Sequence, residues 1–243
     1  GEIYEQIPEL PFCNIWTAMQ LSSRLPKGAL FHMGVSNTRR CWNMFQLPES
    51  VESACNVGCC GIDGCVSTLV GASLVNPDRL CYVVVGDLTF FYDLNSLGNH
   101  HIGTNLRVML VNNGRGTEFR LGIHHCNVFG DDADKYMAAA GHFGNKSPLL
   151  VKHYAEDLGF HYLSATTKEE FMTALSNFTN PQLSDHSMIL EVFTDSKDES
   201  EALYLMSHIQ SDAKGMVRSK LKDAVRNVAG EKGINAIKKI LKK

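Results

Sequence analysis

The stretch CYVVVGDLTFFYDLNSLGNHHIGTNLRVMLVNNGRG, residues 81–116, contains two apolar runs that each end on polar side chains. The runs CYVVVG (81–86) and LRVMLV (106–111) have the continuous apolar character of strands that are covered on both faces. Between them lies a helix candidate in which Phe90 and Leu94 fall on one face. A strand, a helix and a second strand in this order predict a right-handed crossover between two parallel strands.

The same alternation continues along the chain on both sides of this stretch. Four more strand-like runs are ALFHMG (29–34), ESACNV (52–57), FHYLSA (160–165) and MILEVF (188–193). The helix candidates occupy 14–24, 37–45, 63–75, 89–100, 148–158 and 168–178. This repetition predicts an α/β protein of three layers, α/β/α, with a mostly parallel sheet of about six strands.

The bulk composition narrows the classes of function. The chain has 243 residues, of which 44% are apolar, and a formal net charge of −3. These values favour one globular domain with a sizeable core, and they argue against a nucleic-acid or other polyanionic partner. No apolar run approaches the roughly 20 residues that a membrane helix needs, so a membrane protein is not expected.

The cysteines and the start of the chain favour a cytoplasmic protein. None of the eight cysteines forms a C-x-x-C pair, and a chain with a core of this size does not need a disulfide framework. We therefore expect reduced thiols, many of them acting as small apolar side chains. The acidic start GEIYEQIPEL has no signal-peptide pattern, and Gly1 in place of an initiator Met suggests that the natural chain extends further upstream.

Two segments depart from the strand-helix rhythm. Residues 115–147 form a long connection rich in Gly, His and Asp, which is typical of a functional loop. After Asp195 the pattern ends, and from 212 the sequence turns basic, with apolar residues on helical stripes. We predict a domain over 1–211 and a basic amphipathic helical tail over 212–243. The tail either packs against the protein itself or a partner domain, or lies on an anionic membrane surface.

The polar ends of the two central runs predict a binding site. Ligands collect outside the carboxyl ends of strands in open parallel sheets, and Asp87 and Asn113 follow neighbouring strand candidates. A carboxylate, an amide oxygen and a nearby loop carbonyl suit Mg²⁺ or Ca²⁺, and a diphosphate would complete the coordination of Mg²⁺. The glycines at 114 and 116 permit a close backbone approach. The alternative is an Asp that caps the next helix and an ordinary Asn-Asn-Gly turn.

These motifs resemble those of thiamine-diphosphate (ThDP) enzymes. The order G-D-x and then N-N, about two dozen residues later, is similar to the ThDP signature. GIDGCVST, VGDLTFFYDLNSL and VNNGRG resemble, more closely, the cofactor domain of the MenD-type synthases of menaquinone biosynthesis, and the resemblance covers most of 14–195. It implies that 1–211 binds ThDP and Mg²⁺, and that Asp87, Asn113 and the carbonyl of Arg115 hold the metal.

The resemblance also implies a set of cofactor-binding positions. They are Ser36, Gly61, Ile62, Asp63, Gly86, Leu88, Thr89, Asn113 and Gly116. Ile62 matches an apolar wedge under the bent cofactor, although an isoleucine here is also an ordinary core residue. Leu88 and Thr89 lie at a predicted helix N-terminus, where backbone N–H groups favour phosphate. Ser36 either lies at a second such N-terminus beside the ligand or is a simple N-cap.

The substrate-binding positions depart from the family. Arg40 matches an arginine that binds a substrate carboxylate, and His124 and His125 in the long loop are further candidates; the alternative for all three is an exposed surface residue. Val57 stands where the synthase has a second carboxylate-binding arginine, and an isopropyl group cannot replace a guanidinium in anion recognition. This departure at Val57 therefore favours a synthase-like relative with other substrates.

The resemblance implies, finally, that this chain carries half of an active site. In ThDP enzymes a glutamate from a separate pyrimidine-binding domain activates the cofactor, normally across a dimer interface, and nothing in this sequence resembles that domain. We therefore assign no certain catalytic residue here, and we expect a pyrimidine-binding domain or subunit as partner and a homo-oligomer, either a dimer or a tetramer.

The first interpretation is the cofactor domain of a MenD-like 2-oxo acid decarboxylase or carboligase, a transferase acting on a small 2-oxo acid. Two alternatives keep the cofactor: a subunit of a split 2-oxo acid decarboxylase, and a non-catalytic ThDP-binding or assembly module. A third alternative is a nucleotide- or phosphosugar-binding protein in which Asp87 and Asn113 are fortuitous.

Overall fold

Six strands form one parallel sheet in the structure, a computed structural model that describes residues 6–121, 124–136, 144 and 146–209. The strands are β1 (Leu30–Met33), β2 (Glu52–Cys55), β3 (Cys81–Gly86), β4 (Leu106–Asn112), β5 (His161–Ala165) and β6 (Met188–Phe193). Their order across the sheet is β2-β1-β3-β4-β6-β5, and every neighbouring pair is parallel. The predicted three-layer α/β/α fold with about six strands is confirmed.

Helices cover both faces of this sheet. They are α1 (Asn14–Leu21), α2 (Asn37–Trp42), α3 (Cys65–Val75), α4 (Asp87–Asp93), α5 (Ala133–Tyr136), α6 (Leu150–Asp157), α7 (Lys168–Phe178) and α8 (Ser196–Ser207). Short 3₁₀ segments lie at Ser22–Arg24, Leu94–Gly98, Thr117–Arg120 and His125–Asp132. The expectation that the pattern ends after Asp195 is wrong, because α8 begins there. Asp195 caps it by accepting hydrogen bonds from the backbone N–H groups of Lys197 (2.7 Å) and Asp198 (3.4 Å).

The alternation of side chains along the strands divides the core into two halves. On one face Tyr82 and Val84 of β3 pack with residues of α1, α2, α7 and α8. On the other face Val83 and Val85 pack with residues of α3, α4 and α6. All four side chains are fully buried, which explains why β3 has an unbroken apolar sequence. Burying each valine contributes about 1.5 to 3 kcal/mol.

The register of the two central strands positions their polar ends. Cys81 lies opposite Leu106 and Gly86 lies opposite Val111, so β3 and β4 run side by side along their whole length. The residues that follow, Asp87 after β3 and Asn113 after β4, therefore emerge at the same edge of the sheet. This carboxyl edge is where ligands bind in open parallel sheets.

Some predictions fall on parts of the chain that the structure leaves out. The tail predicted for 212–243 and the boundary at 211 lie outside the described residues, so both stay predictions. Of the loop 117–147, the structure describes 117–121, 124–136, 144 and 146–147. In the described part of the chain, no helix has the length and apolar character needed to cross a membrane.

Candidate functional site

A pocket opens at the carboxyl edge, between the ends of β3 and β4 and the segments after β1 and β2. Its empty volume is about 670 Å³ including the mouth, within the roughly 300 to 1,000 Å³ typical of small-molecule sites. Nine predicted site residues line it: Ser36, Ile62, Gly86, Asp87, Leu88, Thr89, Asn113, Arg115 and Gly116. Five predicted residues do not line it: Arg40, Gly61, Asp63, His124 and His125.

Asp87 is buried at the junction of β3 and α4. It is only 2% exposed, and its Oδ1 accepts a hydrogen bond from the backbone N–H of Leu88 at 3.0 Å. Asp87 is the first helical residue, and the preceding N-cap position is Gly86, which has no side chain to cap with. An acidic residue in the first turn favours the helix dipole, so a local structural role and a ligand role are compatible here.

The two asparagines after β4 have different surroundings. Asn112 is buried, donates through Nδ2 to Glu191 Oε1 at 2.7 Å and accepts from the Gly114 N–H at 3.2 Å. Asn113 lines the pocket, and its Oδ1 makes one long contact of 3.4 Å with the Arg115 N–H. Gly114 has φ +80°, a conformation that favours glycine. The turn is thus a local Asx structure, as the alternative expected, and it leaves the Asn113 amide at the pocket wall.

Two buried carboxyl groups, those of Glu191 and Glu199, lie close enough to Asp87 to be affected by its charge. Burial raises the pKa of Glu191 above its ordinary value, even though Asn112 and Tyr162 each donate a hydrogen bond to it at 2.7 Å. Burial likewise raises the pKa of Glu199 to about 7. The negative charge of Asp87 raises both values further. Asp87 is therefore within electrostatic reach of both Glu191 and Glu199.

Glu199 connects the last described helix to the first. Both of its carboxylate oxygens accept from the backbone N–H of Asn14, at 3.0 and 3.1 Å, and Oε1 also accepts from the Thr194 hydroxyl at 2.7 Å. Asn14 begins α1, lines the pocket, and accepts from Trp42 Nε1 at 2.9 Å. No sequence pattern indicates this contact, because its two residues lie 185 positions apart.

Ser36 has a strained backbone at the pocket wall. Its φ is +62° and its ψ −123°, and its side chain makes no capping hydrogen bond although it occupies the N-cap position of α2. The simple N-cap interpretation is therefore incomplete. A serine in this conformation costs about 1 to 3 kcal/mol, and such strain is found mostly at functional sites.

Ile62 fits both interpretations made from the sequence. It is partly buried and packs against the core between the sheet and α3, and it also lines the pocket. The neighbouring Gly61 and Asp63 belong to the same loop, but neither reaches the pocket wall, and Asp63 is exposed.

Three consecutive residues that sequence reasoning did not assign also line the pocket: Thr117, Glu118 and Phe119. Thr117 is only 4% exposed, and its hydroxyl has no hydrogen-bond partner among the residues that the structure describes. A buried hydroxyl without a partner at a pocket wall is the position at which a ligand atom supplies the missing bond. The sequence signal that could have identified these three residues is their position, because they follow the N-N-G-R-G motif directly.

Arg40 is bound to a carboxylate of the protein itself. Its Nη1 donates to Glu118 Oε2, with side chains that are 39% and 18% exposed. Val57, at the other substrate-binding position of the family, is 46% exposed. The predicted carboxylate-binding pair is thus one arginine engaged by Glu118 and one valine.

The two loop histidines have local roles. His124 accepts from the Cys126 N–H at 3.1 Å and caps the following 3₁₀ segment, and its ring lies edge-on to Phe119 at 5.2 Å between centroids. His125 is exposed. His124 therefore supports a residue of the pocket wall without lining the pocket itself.

The side chains available constrain the kind of metal centre. Among the described residues, no three His, Cys, Asp or Glu side chains gather as a metal cluster. A cation at this edge would depend on Asp87 together with neutral oxygens, which is the ligand type of Mg²⁺ and Ca²⁺. All eight cysteines are free thiols, as predicted.

The fold and the site together define a class, an open parallel α/β/α domain with a polar ligand pocket at its carboxyl edge. No family model matches the chain. The 2-succinyl-5-enolpyruvyl-6-hydroxy-3-cyclohexene-1-carboxylate synthase of Bacteroides fragilis is 34% identical over 196 residues. The synthases of the same name from Phocaeicola vulgatus and Christiangramia forsetii are 34% identical over 200 residues and 33% over 199.

The predicted resemblance to the cofactor domain of the MenD-type synthases is confirmed, and the chain is related to this ThDP-dependent family. The alignments cover 81 or 82% of this chain but only 33 or 34% of each relative. The chain thus spans about a third of the length of the curated relatives it matches.

Proposed function

We propose that this chain binds ThDP and Mg²⁺, and that it forms the cofactor half of a 2-oxo acid decarboxylase or carboligase. One observation carries the proposal: Asp87 and Asn113, at the ends of two adjoining strands, line the same pocket. The similarity to the synthases supports it, because the GIDG, GDL and NNG motifs all contribute to that pocket.

The residues present fit the cofactor. Asp87 Oδ, the Asn113 amide oxygen and the Arg115 carbonyl would hold Mg²⁺, which would bind the diphosphate. The Arg115 carbonyl accepts from the Thr117 N–H at 3.0 Å, and its second lone pair is available to a cation. The Thr117 hydroxyl without a partner would bond to the bound group. Ile62 supplies an apolar surface beside these polar groups.

The chemistry would be divided between the cofactor and the protein. Bound ThDP supplies the carbon nucleophile and the electron sink for 2-oxo acid chemistry. The buried pocket walls exclude water from the polar groups that bind the ligand.

The remaining parts of the active site would come from elsewhere. We propose a pyrimidine-binding domain or subunit that contributes the activating glutamate, in a dimer or tetramer, acting on a small 2-oxo acid. Such a domain either precedes this one in a longer natural chain or belongs to a separate subunit. The cytoplasmic location also stays a proposal, supported by the eight free thiols.

Calorimetric titration of this chain with ThDP tests the proposal. Binding is expected in Mg²⁺ and not in EDTA, and Asp87→Asn is expected to weaken it by about tenfold to a hundredfold through loss of a charged ligand. Asp185→Asn, at the opposite edge of the sheet, is the matched control and should bind like the wild type. Wild-type protein that fails to bind ThDP, or an Asp87→Asn variant that binds equally well, would refute the proposal.

A further inference from the structure

The charged side chains of the pocket are few and unequal. Among the described residues, only Asp87, Arg115 and Glu118 are charged and line it. Asp87 is the residue assigned above to the cation. The charged residues that remain at the wall for a substrate are therefore Arg115 and Glu118.

The guanidinium of Arg40 does not add a second anion-binding group. Arg40 does not line the pocket, and it donates to the carboxylate of Glu118, which does. Both side chains are partly buried, so the pair is less screened than one at the surface. A second substrate carboxylate in the pocket would meet the like charge of Glu118 and find the Arg40 guanidinium already paired.

Arg115 differs from Arg40 in its ion pairing. It is partly buried, and no described carboxylate forms an ion pair with it. A planar guanidinium suits bidentate binding of one carboxylate, and Arg115 is the arginine among the described residues that line this pocket. The rest of the wall includes apolar side chains, with Val35 and Val111 buried and Phe119 beside them.

We infer that the substrate is a 2-oxo monocarboxylate with an uncharged remainder, that Arg115 binds its carboxylate, and that Glu118 excludes a second one. This inference rests on the proposed function and specifies the substrate class of the same site. The site differs from a dicarboxylate-binding site at two positions: Arg40 is paired with Glu118, and position 57 is a valine.

The test compares two acids as substrates of the complete enzyme, which consists of this chain and its pyrimidine-binding domain or subunit. ThDP and Mg²⁺ are present throughout. CO₂ release is measured from 2-oxobutyrate, with one carboxylate, and from 2-oxoglutarate, with two. Wild type should favour 2-oxobutyrate in kcat/KM by at least about tenfold. Glu118→Gln should shift the ratio toward 2-oxoglutarate by about tenfold, because it removes the repulsion and frees Arg40.

Further variants distinguish an effect on substrate specificity from a general effect on the structure. Glu52→Gln breaks a more exposed ion pair with Arg79, at 2.9 Å on the amino edge, and should leave the ratio unchanged. Arg115→Gln should raise KM for both acids. If Glu118→Gln does not fold, Arg40→Gln keeps the repelling carboxylate and should leave 2-oxoglutarate disfavoured.

The inference is overturned if wild type prefers 2-oxoglutarate, or if Glu118→Gln lowers turnover of both acids equally. Titration of the same samples with ThDP distinguishes failure of the proposed function from failure of the substrate inference. Absence of ThDP binding defeats the proposed function itself, whereas ThDP binding without CO₂ release from 2-oxobutyrate defeats only the substrate inference.

Discussion

The two edges of the sheet use polar side chains in opposite ways. At the amino edge the Asn105 amide donates to three backbone carbonyls, those of Ser73 (3.2 Å), Asn76 (3.0 Å) and Arg79 (3.0 Å). At the carboxyl edge the Thr117 hydroxyl is buried without a partner, and Asn113 makes only one long contact. Polar groups at the first edge hold loops together, and those at the second are available to a ligand.

The contrast has one exception at the amino edge. Arg107 is buried there and donates from its Nη atoms to the Thr104 carbonyl at 2.8 Å and to Ser184 Oγ at 2.9 Å, but its Nε has no partner. Burial lowers the pKa of its guanidinium. Among the described residues, the amino edge thus also contains a buried polar atom without a partner, so burial of polar groups alone does not identify a ligand site.

The largest expected effect is on stability at the amino edge. Asn105→Ala removes the donor to three carbonyls and should lower the free energy of unfolding by about 3 kcal/mol, since each buried acceptor left without a partner costs about 1 to 3 kcal/mol. Urea unfolding measures this. Asn177→Ala, an exposed residue of α7, should change it by less than about 0.5 kcal/mol. Equal effects of the two variants would contradict the assigned role of Asn105.

Next in size is a pH effect at the joint between α1 and α8. Glu199 has a raised pKa of about 7 when folded and the ordinary value of 4.5 when unfolded. The folded state therefore keeps this proton longer, and stability should fall as pH rises from about 4.5 to 7, by up to about 3 kcal/mol. Glu199→Gln should flatten this part of the pH profile in urea unfolding, whereas Glu201→Gln, an exposed neighbour, should not. An unchanged slope in Glu199→Gln would count against the buried-acid assignment.

A smaller effect, on binding alone, is expected at the carboxyl edge. Asn113→Ala should weaken Mg²⁺-dependent ThDP binding by about tenfold, because a metal ligand is lost, and should change the free energy of unfolding little. Asn105→Ala, assayed in conditions where it is folded, should bind normally. The comparison of the edges fails if the two variants exchange these phenotypes.

The smallest expected effect concerns strain. Ser36 and Cys60 are the non-glycine residues with positive φ in the described chain, and both lie in connections at the carboxyl edge. Ser36→Gly should raise the free energy of unfolding by about 1 kcal/mol by relieving the strain. Ser36→Ala keeps the strain and should not raise it. A gain in both variants would show that the hydroxyl, not the backbone, is unfavourable.

Local sequence predicted the sheet well because its signals are local. Strand-like runs, of which CYVVVG is the most apolar, identified all six strands, and alternation with helices identified their parallel arrangement. The pocket followed from the same logic, since Asp87 and Asn113 come directly after β3 and β4. The helix α8 was missed although Asp195 and the acidic residues after it are a typical N-terminal signal.

The rest of the site depends on contacts between distant residues. Arg40 and Glu118 are 78 positions apart, and Asn14 and Glu199 are 185 apart. No periodicity or motif links such pairs, so the sequence identified Arg40 as a free anion-binding group and did not identify its partner. The orphaned hydroxyl of Thr117 likewise depends on what surrounds it in three dimensions.

The bond between Glu199 and Asn14 has a practical consequence for anyone attaching something to this domain. It fastens the start of the first helix to the last described helix, and Asn14 is itself part of the pocket wall. Tension or crowding applied through either flanking segment would be transmitted to the ligand-binding surface through a single carboxyl group. Labels and fusion proteins at both ends therefore require flexible spacers if affinity is to be measured without disturbing it.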